Sequence, residues 1–141
     1  MAVPDPREVV VRLGGVEVAR TTRAIRVLET SHPPTWYLPP EDVRAEFLHP
    51  AAGATVCEWK GRANYWDLEV EGHRLGRVAW SYPAPLPAFS SIRDHFAFYP
   101  SNLECSVGGE PVEPQPGDFY GGWVTPDVAG PFKGGPGTRG W

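Results

Sequence analysis

A carboxylate at Glu29, a hydroxyl at Thr30 and an ammonium at Lys60 stand among segments rich in rings, namely Tyr37, Tyr65, Trp66, Trp80 and Tyr82. Small-molecule sites are generally lined by aromatic side chains with a few convergent polar groups, so these residues form the candidate ligand-binding set. Two of them have chemistry of their own. Glu29 could serve as a general acid or base, and Lys60 as an electrostatic or nucleophilic group. An ordinary lysine, with a pKa of roughly 10.4, is a poor base at neutral pH, so a catalytic Lys60 requires a perturbing environment. The same residues also admit a structural account: Trp and Tyr fill β cores, and a Glu–Lys pair across a sheet is commonly a surface ion pair of little worth.

Other reactive constellations are missing. The chain has no GxSxG, no phosphate loop ending in Lys-Ser/Thr and no GxGxxG. KGGPG near the C-terminus has no strand pattern before it and no helix pattern after it. His32, or His95 beside Asp94, could be written into an acid–base set, but adjacency in sequence is not geometry. The four histidines form no HxxxH and the two cysteines, Cys57 and Cys105, form no CxxC, so neither a metal nor another cofactor is expected. Two free thiols are the expectation, with Cys57 on the opposite side of a regular strand from Lys60 and buried.

The 141 residues carry a net charge of -4 with no cluster of Lys and Arg, which argues against a nucleic-acid partner. No apolar run approaches the roughly 20 residues that cross a bilayer, and no basic segment precedes an apolar one as in an export signal. A cytoplasmic protein with a small-molecule partner and no membrane partner is the expectation.

The 17 prolines and 16 glycines suit short strands separated by turns. REVVVRL and VEVAR flank Gly14-Gly15 and predict a hairpin, because glycine supplies the positive φ that a two-residue turn needs. AIRVLET reads as a third strand ending near Glu29 and Thr30. ETSHPPTWYLPPEDV, with its paired prolines, reads as a stiff connection, and Pro40 followed by Glu41 and Asp42 as one helical turn. EFLH reads as a short strand. Three further strands are expected at roughly 55–60, 63–70 and 74–82, the last two turning at Glu71-Gly72. Residues 83–91 read as a turn with a helical element, and HFAFYP and ECSVGGEPV as the closing strands. The fold class is therefore mainly β, with about eight short strands and one or two short helical turns. Residues 1–113 form the domain. Residues 114–141 form a Gly/Pro-rich arm whose Phe119, Tyr120, Trp123, Phe132 and Trp141 set it apart from a disordered linker. Such an arm docks on its own domain or on a partner, a second copy in a homodimer included.

RVLETSHPPTWYLPPEDV, CEWKGRANYWDLEV, VAWSYPAPLPAF and FAFYP resemble, in order, the signature segments of the bacterial domain of unknown function 427 family, over about residues 8–112. The GDFYGGWVTPDVAGPFKGGPGT tail is similar to an extension in some members. The resemblance implies a β-tent of two antiparallel sheets, similar to the drug-binding domain of cereblon and to methionine-R-sulfoxide reductase. Several β-tent proteins hold zinc through two CxxC pairs; this chain has neither, which implies core packing in the metal's place. Cys57 and Cys105 do not stand in the reductase's motif context, and the family's label as nucleotidyltransferase-like has no matching motif here. The β-tent cleft lies between the sheets, where Pro33-Pro34 and Pro39-Pro40 would hold Trp36 and Tyr37 as one wall and AWSYPAP would supply the other. Three readings stay open: a domain binding a small molecule in an aromatic cleft between its sheets, an enzyme using Glu29 and Lys60, and an interaction module acting through its arm.

Overall fold

The computed structural model describes residues 2–28, 33–57, 61–114 and 121–125, with the backbone alone for 53–57. In chain order the strands are β1 (Ala2–Asp5), β2 (Val9–Leu13), β3 (Val16–Thr21), β4 (Ala24–Val27), β5 (Thr35–Tyr37), β6 (Leu48–Cys57) and β7 (Gly61–Val70). There follow β8 (His73–Ser81), β9 (Phe96–Phe98), β10 (Glu104–Val107), β11 (Glu110–Pro111), β12 (Glu113–Pro114) and β13 (Trp123–Val124). Short 3-10 turns occupy Pro40–Asp42, Ala45–Phe47 and Pro87–Ile92. The fold is mainly β, and its sheets are antiparallel.

Local turn chemistry accounts for the hairpins. Gly14 and Gly15 have φ of 58° and 81° and join β2 to β3; Gly108 and Gly109, at 56° and 83°, join β10 to β11. Mirror-image turns of this kind match the right-handed twist of the strands they connect. Together these strands make one sheet in the order β11-β10-β2-β3. A second sheet runs β6-β7-β8-β9 and a third β1-β4-β5. An antiparallel bridge between Leu38 and Phe96, with reciprocal backbone hydrogen bonds of 2.8 and 2.9 Å, joins these two edge to edge. The result is a large layer in the order β6-β7-β8-β9-β5-β4-β1, faced by the smaller one.

Three elements differ from expectation. β5 lies inside the supposed connection, because Thr35–Tyr37 pair with β4 and continue through Leu38 to β9. The paired prolines sit on either side of that strand, where their missing N–H groups cost the ladder least. β1 pairs with β4 and carried no strong local signal. The expected EFLH strand is a 3-10 turn up to Phe47, and β6 begins at Leu48, its ladder with β7 interrupted between Pro50 and Ala54. Proline at position 50 has no N–H to donate, consistent with that break.

Period-two alternation gives the large layer two different faces. Trp36, Leu38, Leu68, Ala79, Phe96 and Phe98 meet Val9, Val11, Val18, Cys105 and Val107 of the small layer in the core between the two. Tyr37, Ala63, Trp80, Tyr82 and Ala97 point the other way, joined by Val27 and by Ile92 of the last helical turn. Cys105 is a buried free thiol whose pKa burial pushes up to about 12. The side chain of Cys57 lies outside what is described.

Candidate functional site

The outer face of the large layer is built of rings. Tyr37 is fully buried, with Trp80 edge-on at 6.4 Å and 88° and Tyr82 tilted at 6.3 Å. Tyr99 leans on Trp80 with centroids 4.6 Å apart. Trp80 Nε1 donates to the Tyr37 hydroxyl at 3.4 Å, at the long limit for such a bond. Half-buried Tyr65, Tyr99 and Phe89 form the rim. These positions follow from strand parity: Ala63 and Tyr65 on β7, Trp80 and Tyr82 along β8 and just past it, Ala97 and Tyr99 at β9.

A charged group is aimed at this rim by a β-bulge. The register of β7 and β8 shifts between Trp66 and Leu68, and Arg77 takes a positive φ of 49°. Asp67 supports the irregularity, its Oδ1 accepting the Arg77 backbone N–H at 2.8 Å and its Oδ2 the Arg74 side chain at 3.0 Å. Those bonds, the Arg77 amide foremost, hold the Asp67 carboxyl below its ordinary pKa. Bulges commonly re-aim a side chain, and here the Arg77 guanidinium stands 4.2 Å from the centre of the Tyr65 ring. A left-handed arginine costs on the order of 1 kcal/mol, and one exposed cation–π contact returns about 0.5–1 kcal/mol, so the two nearly offset each other.

Of the residues singled out from the sequence, Tyr37, Tyr65, Trp80 and Tyr82 come together on this outer face rather than between the sheets. Trp66 lies on the opposite face, edge-on to Phe96 at 5.6 Å with Nε1 donating to Ser81 Oγ at 2.9 Å. Trp36, expected beside Tyr37 in one wall, likewise faces the inter-layer core, since neighbours in a strand point apart. Glu29, Thr30, Lys60 and His32 lie outside the described residues. His95 Nδ1 is 3.0 Å from the Arg93 carbonyl oxygen, in the loop before β9. Tyr99, Phe89, Asp67 and Arg77 were not anticipated. The alternation in HFAFYP would have found Tyr99; the bulge that aims Arg77 has no local signal.

A second polar cluster closes one end of the inter-layer core. Asp5 is buried, and Arg7 grips it with Nη2 at 2.9 Å from Oδ2 and Nε at 3.1 Å from Oδ1. Arg26 Nε, buried and with no aligned hydrogen-bond acceptor, makes an ion pair with Asp5 Oδ2 at 3.1 Å. Both guanidinium carbons lie over the Trp36 ring, at 5.4 and 5.7 Å. Hydrogen bonds from Arg7, with the charge of Arg26, hold Asp5 below its ordinary pKa against the opposing effect of burial. One carboxylate thus ties two guanidiniums, which in turn cover the Trp36 ring, an arrangement that suits a structural role. Among the described residues no group of three or more His, Cys, Asp or Glu side chains could hold a metal ion, and no helix is long and apolar enough to cross a membrane.

A family model described as domain of unknown function (DUF427) matches residues 1–109. No curated protein matches the chain.

Proposed function

This chain belongs to the domain of unknown function 427 family, and we propose that it binds a small planar molecule on the ring face of its large layer. The observation that carries this reading is the gathering of Tyr37, Tyr65, Trp80, Tyr82 and Tyr99 on one face, with the Arg77 cation at its rim. Aliphatic side chains would fill such a face with less polar surface to satisfy. Tyrosine and tryptophan combine an apolar body with a polar tip; here Tyr37, Trp80 and Tyr82 make a buried floor, and half-buried Tyr65, Tyr99 and Phe89 the rim that a ligand would meet. The rim guanidinium favours a ligand with a carboxylate or phosphate group.

Glu29, Thr30 and Lys60 are proposed as the polar groups of the same site. Their chain neighbours support this. Val27, at the end of β4, and Ala63, near the start of β7, both belong to the ring-face cluster. Gly61, next after Lys60, packs closely on the residues beyond Tyr82, since a β-carbon there would lie 3.0 Å from the Ala84 carbonyl oxygen.

A thermal-shift panel of benzoate, indole-3-acetate, adenosine, uridine and their monophosphates tests the reading. A binder at 100 times its Kd should stabilise the protein by about 2.7 kcal/mol. Glu29→Gln and Lys60→Met should abolish that shift while changing unliganded stability by no more than about 0.5 kcal/mol, as ordinary surface replacements do. A flat response across the panel speaks against the ligand class. A loss on the order of 3 kcal/mol from either substitution alone would instead identify a buried ion pair and remove both residues from the site.

A further inference from the structure

Residues 121–125 lie beyond the family match, which ends at residue 109, yet Gly121, Gly122, Trp123 and Thr125 are buried on the domain. Trp123 is the anchor. Its ring stacks on Trp36 with centroids 6.1 Å apart and planes 22° from parallel. Its Nε1 donates to the Phe98 carbonyl at 2.9 Å, and its backbone N–H to the Pro34 carbonyl at 2.9 Å. All these partners belong to the inter-layer side or to the chain leading into β5.

Two residues upstream the same segment touches the opposite face. Gly121, at φ +71°, presses its backbone onto the ring face: a β-carbon there would overlap Trp80 Cη2 and lie 3.0 Å from Trp80 Cζ3 and 3.1 Å from Tyr99 Cε1. Both the dihedral and the space demand glycine. The segment thus straddles the end of β9, with Trp123 on the Phe98 side and Gly121 on the Tyr99 side.

We propose that residues 121–125 act as an autoinhibitory strap, in which Trp123 fastens the chain to the core and Gly121 lies against the Trp80–Tyr99 end of the ring face and keeps aromatic ligands out of it. The proposal rests on the ring face being a ligand site. A ligand that slides over Trp80 must displace Gly121, so strap opening and ligand entry are one equilibrium. Ligand affinity at that end is reduced by the fraction of molecules in which the strap is closed.

The test uses the full chain, amide hydrogen exchange and the fluorescent probe 1-anilinonaphthalene-8-sulfonate. In the unsubstituted protein the Trp123 amide should exchange as slowly as that of Leu38, which is bonded to Phe96 within the large layer. Exchange as fast as at the exposed Gly109 turn overturns the strap without any variant being made. Gly121→Ala should speed Trp123 exchange roughly tenfold while leaving Leu38 unchanged, as local opening does, and should raise probe fluorescence severalfold. Adding Trp80→Phe removes Cη2 and Cζ3, the two nearest of the atoms the new methyl group meets, and should return both readings part of the way to the original, the Tyr99 contact and the left-handed φ remaining. Unchanged exchange in Gly121→Ala, faster exchange without probe uptake, or no recovery in the double variant each overturns the proposal. The small-molecule panel repeated on Gly121→Ala separates the two readings: a panel silent there while the exchange and probe results hold ends the ligand reading and with it the autoinhibitory role, whereas a response stronger than in the parent supports both.

Discussion

The two faces of the large layer are made by alternate residues of the same strands, yet they are finished differently. On the inner face, Leu68, Phe98, Trp36 and Trp123 are almost wholly removed from water, and the indole N–H groups of Trp66 and Trp123 each meet an acceptor at 2.9 Å. On the outer face the Trp80 indole reaches its Tyr37 acceptor only at 3.4 Å, and Tyr65, Tyr99 and Phe89 stay half-buried. An inner face packed in this way is close to what stability alone would select. The outer face has an equally buried floor of Tyr37, Trp80 and Tyr82 but a half-buried aromatic rim, and it is on that rim that the proposed ligand site rests.

The largest effect should come from the inner face. Leu68→Ala should cost about 2–5 kcal/mol, because it removes a fully buried side chain and leaves a cavity that the surrounding strands cannot close. Tyr65→Ala, on the half-buried outer rim of the same strand, should cost only about 1 kcal/mol. Chemical denaturation of both variants decides the matter: equal losses would erase the distinction between the faces.

Next is Asp5, whose carboxylate holds two guanidiniums over the inner-face ring of Trp36. Asp5→Asn should cost about 2 kcal/mol at neutral pH, the scale of hydrogen bonds to a charged group. The sign of its pH dependence follows from the lowered folded pKa. Stability from the ionised carboxylate is complete above the ordinary value of 3.8 and is lost as pH falls through the lower folded value. The gap between parent and Asp5→Asn should therefore narrow in acid, and a gap that stays constant down to pH 2 would show that the clamp does not act through charge.

The smallest effect concerns Cys105, which belongs to the inner core. Burial raises its pKa from 9.0 to about 12, so the unfolded thiol ionises before the folded one and stability declines as pH rises between those values. At pH 10 the loss should be on the order of 1 kcal/mol. Cys105→Ala should remove that alkaline decline, though the cavity it leaves lowers stability at every pH. A parent protein with no such decline would place the thiol in contact with water and weaken the description of a sealed inner face.

What the sequence determined by itself is the part governed by neighbours along the chain. Gly14-Gly15 and Gly108-Gly109 specify their turns because the left-handed φ values of a tight hairpin favour glycine, as Gly72 does at the second position after Glu71, and the flanking runs then have one short way to pair. Pro40 with Glu41 and Asp42 specifies a helical turn for equally local reasons. The class of residue gathered near the candidate site was legible too, since Tyr37, Tyr65, Trp80 and Tyr82 do share a face. Tertiary structure decided the rest. β1 and β5 exist because β4 and, through Leu38, Phe96 supply hydrogen-bond partners distant in sequence, and a strand with no partner has no reason to form. Strand alternation dictates that Trp36 and Tyr37 part company, as do Tyr65 and Trp66, but it is silent on which of the two faces another sheet will cover. That choice was made when β2, β3 and β10 packed on the Trp36 side. The bulge at Asp67 that turns Arg77 onto Tyr65, and the approach of Gly121 to Trp80, likewise arise only when separate segments are brought within contact distance.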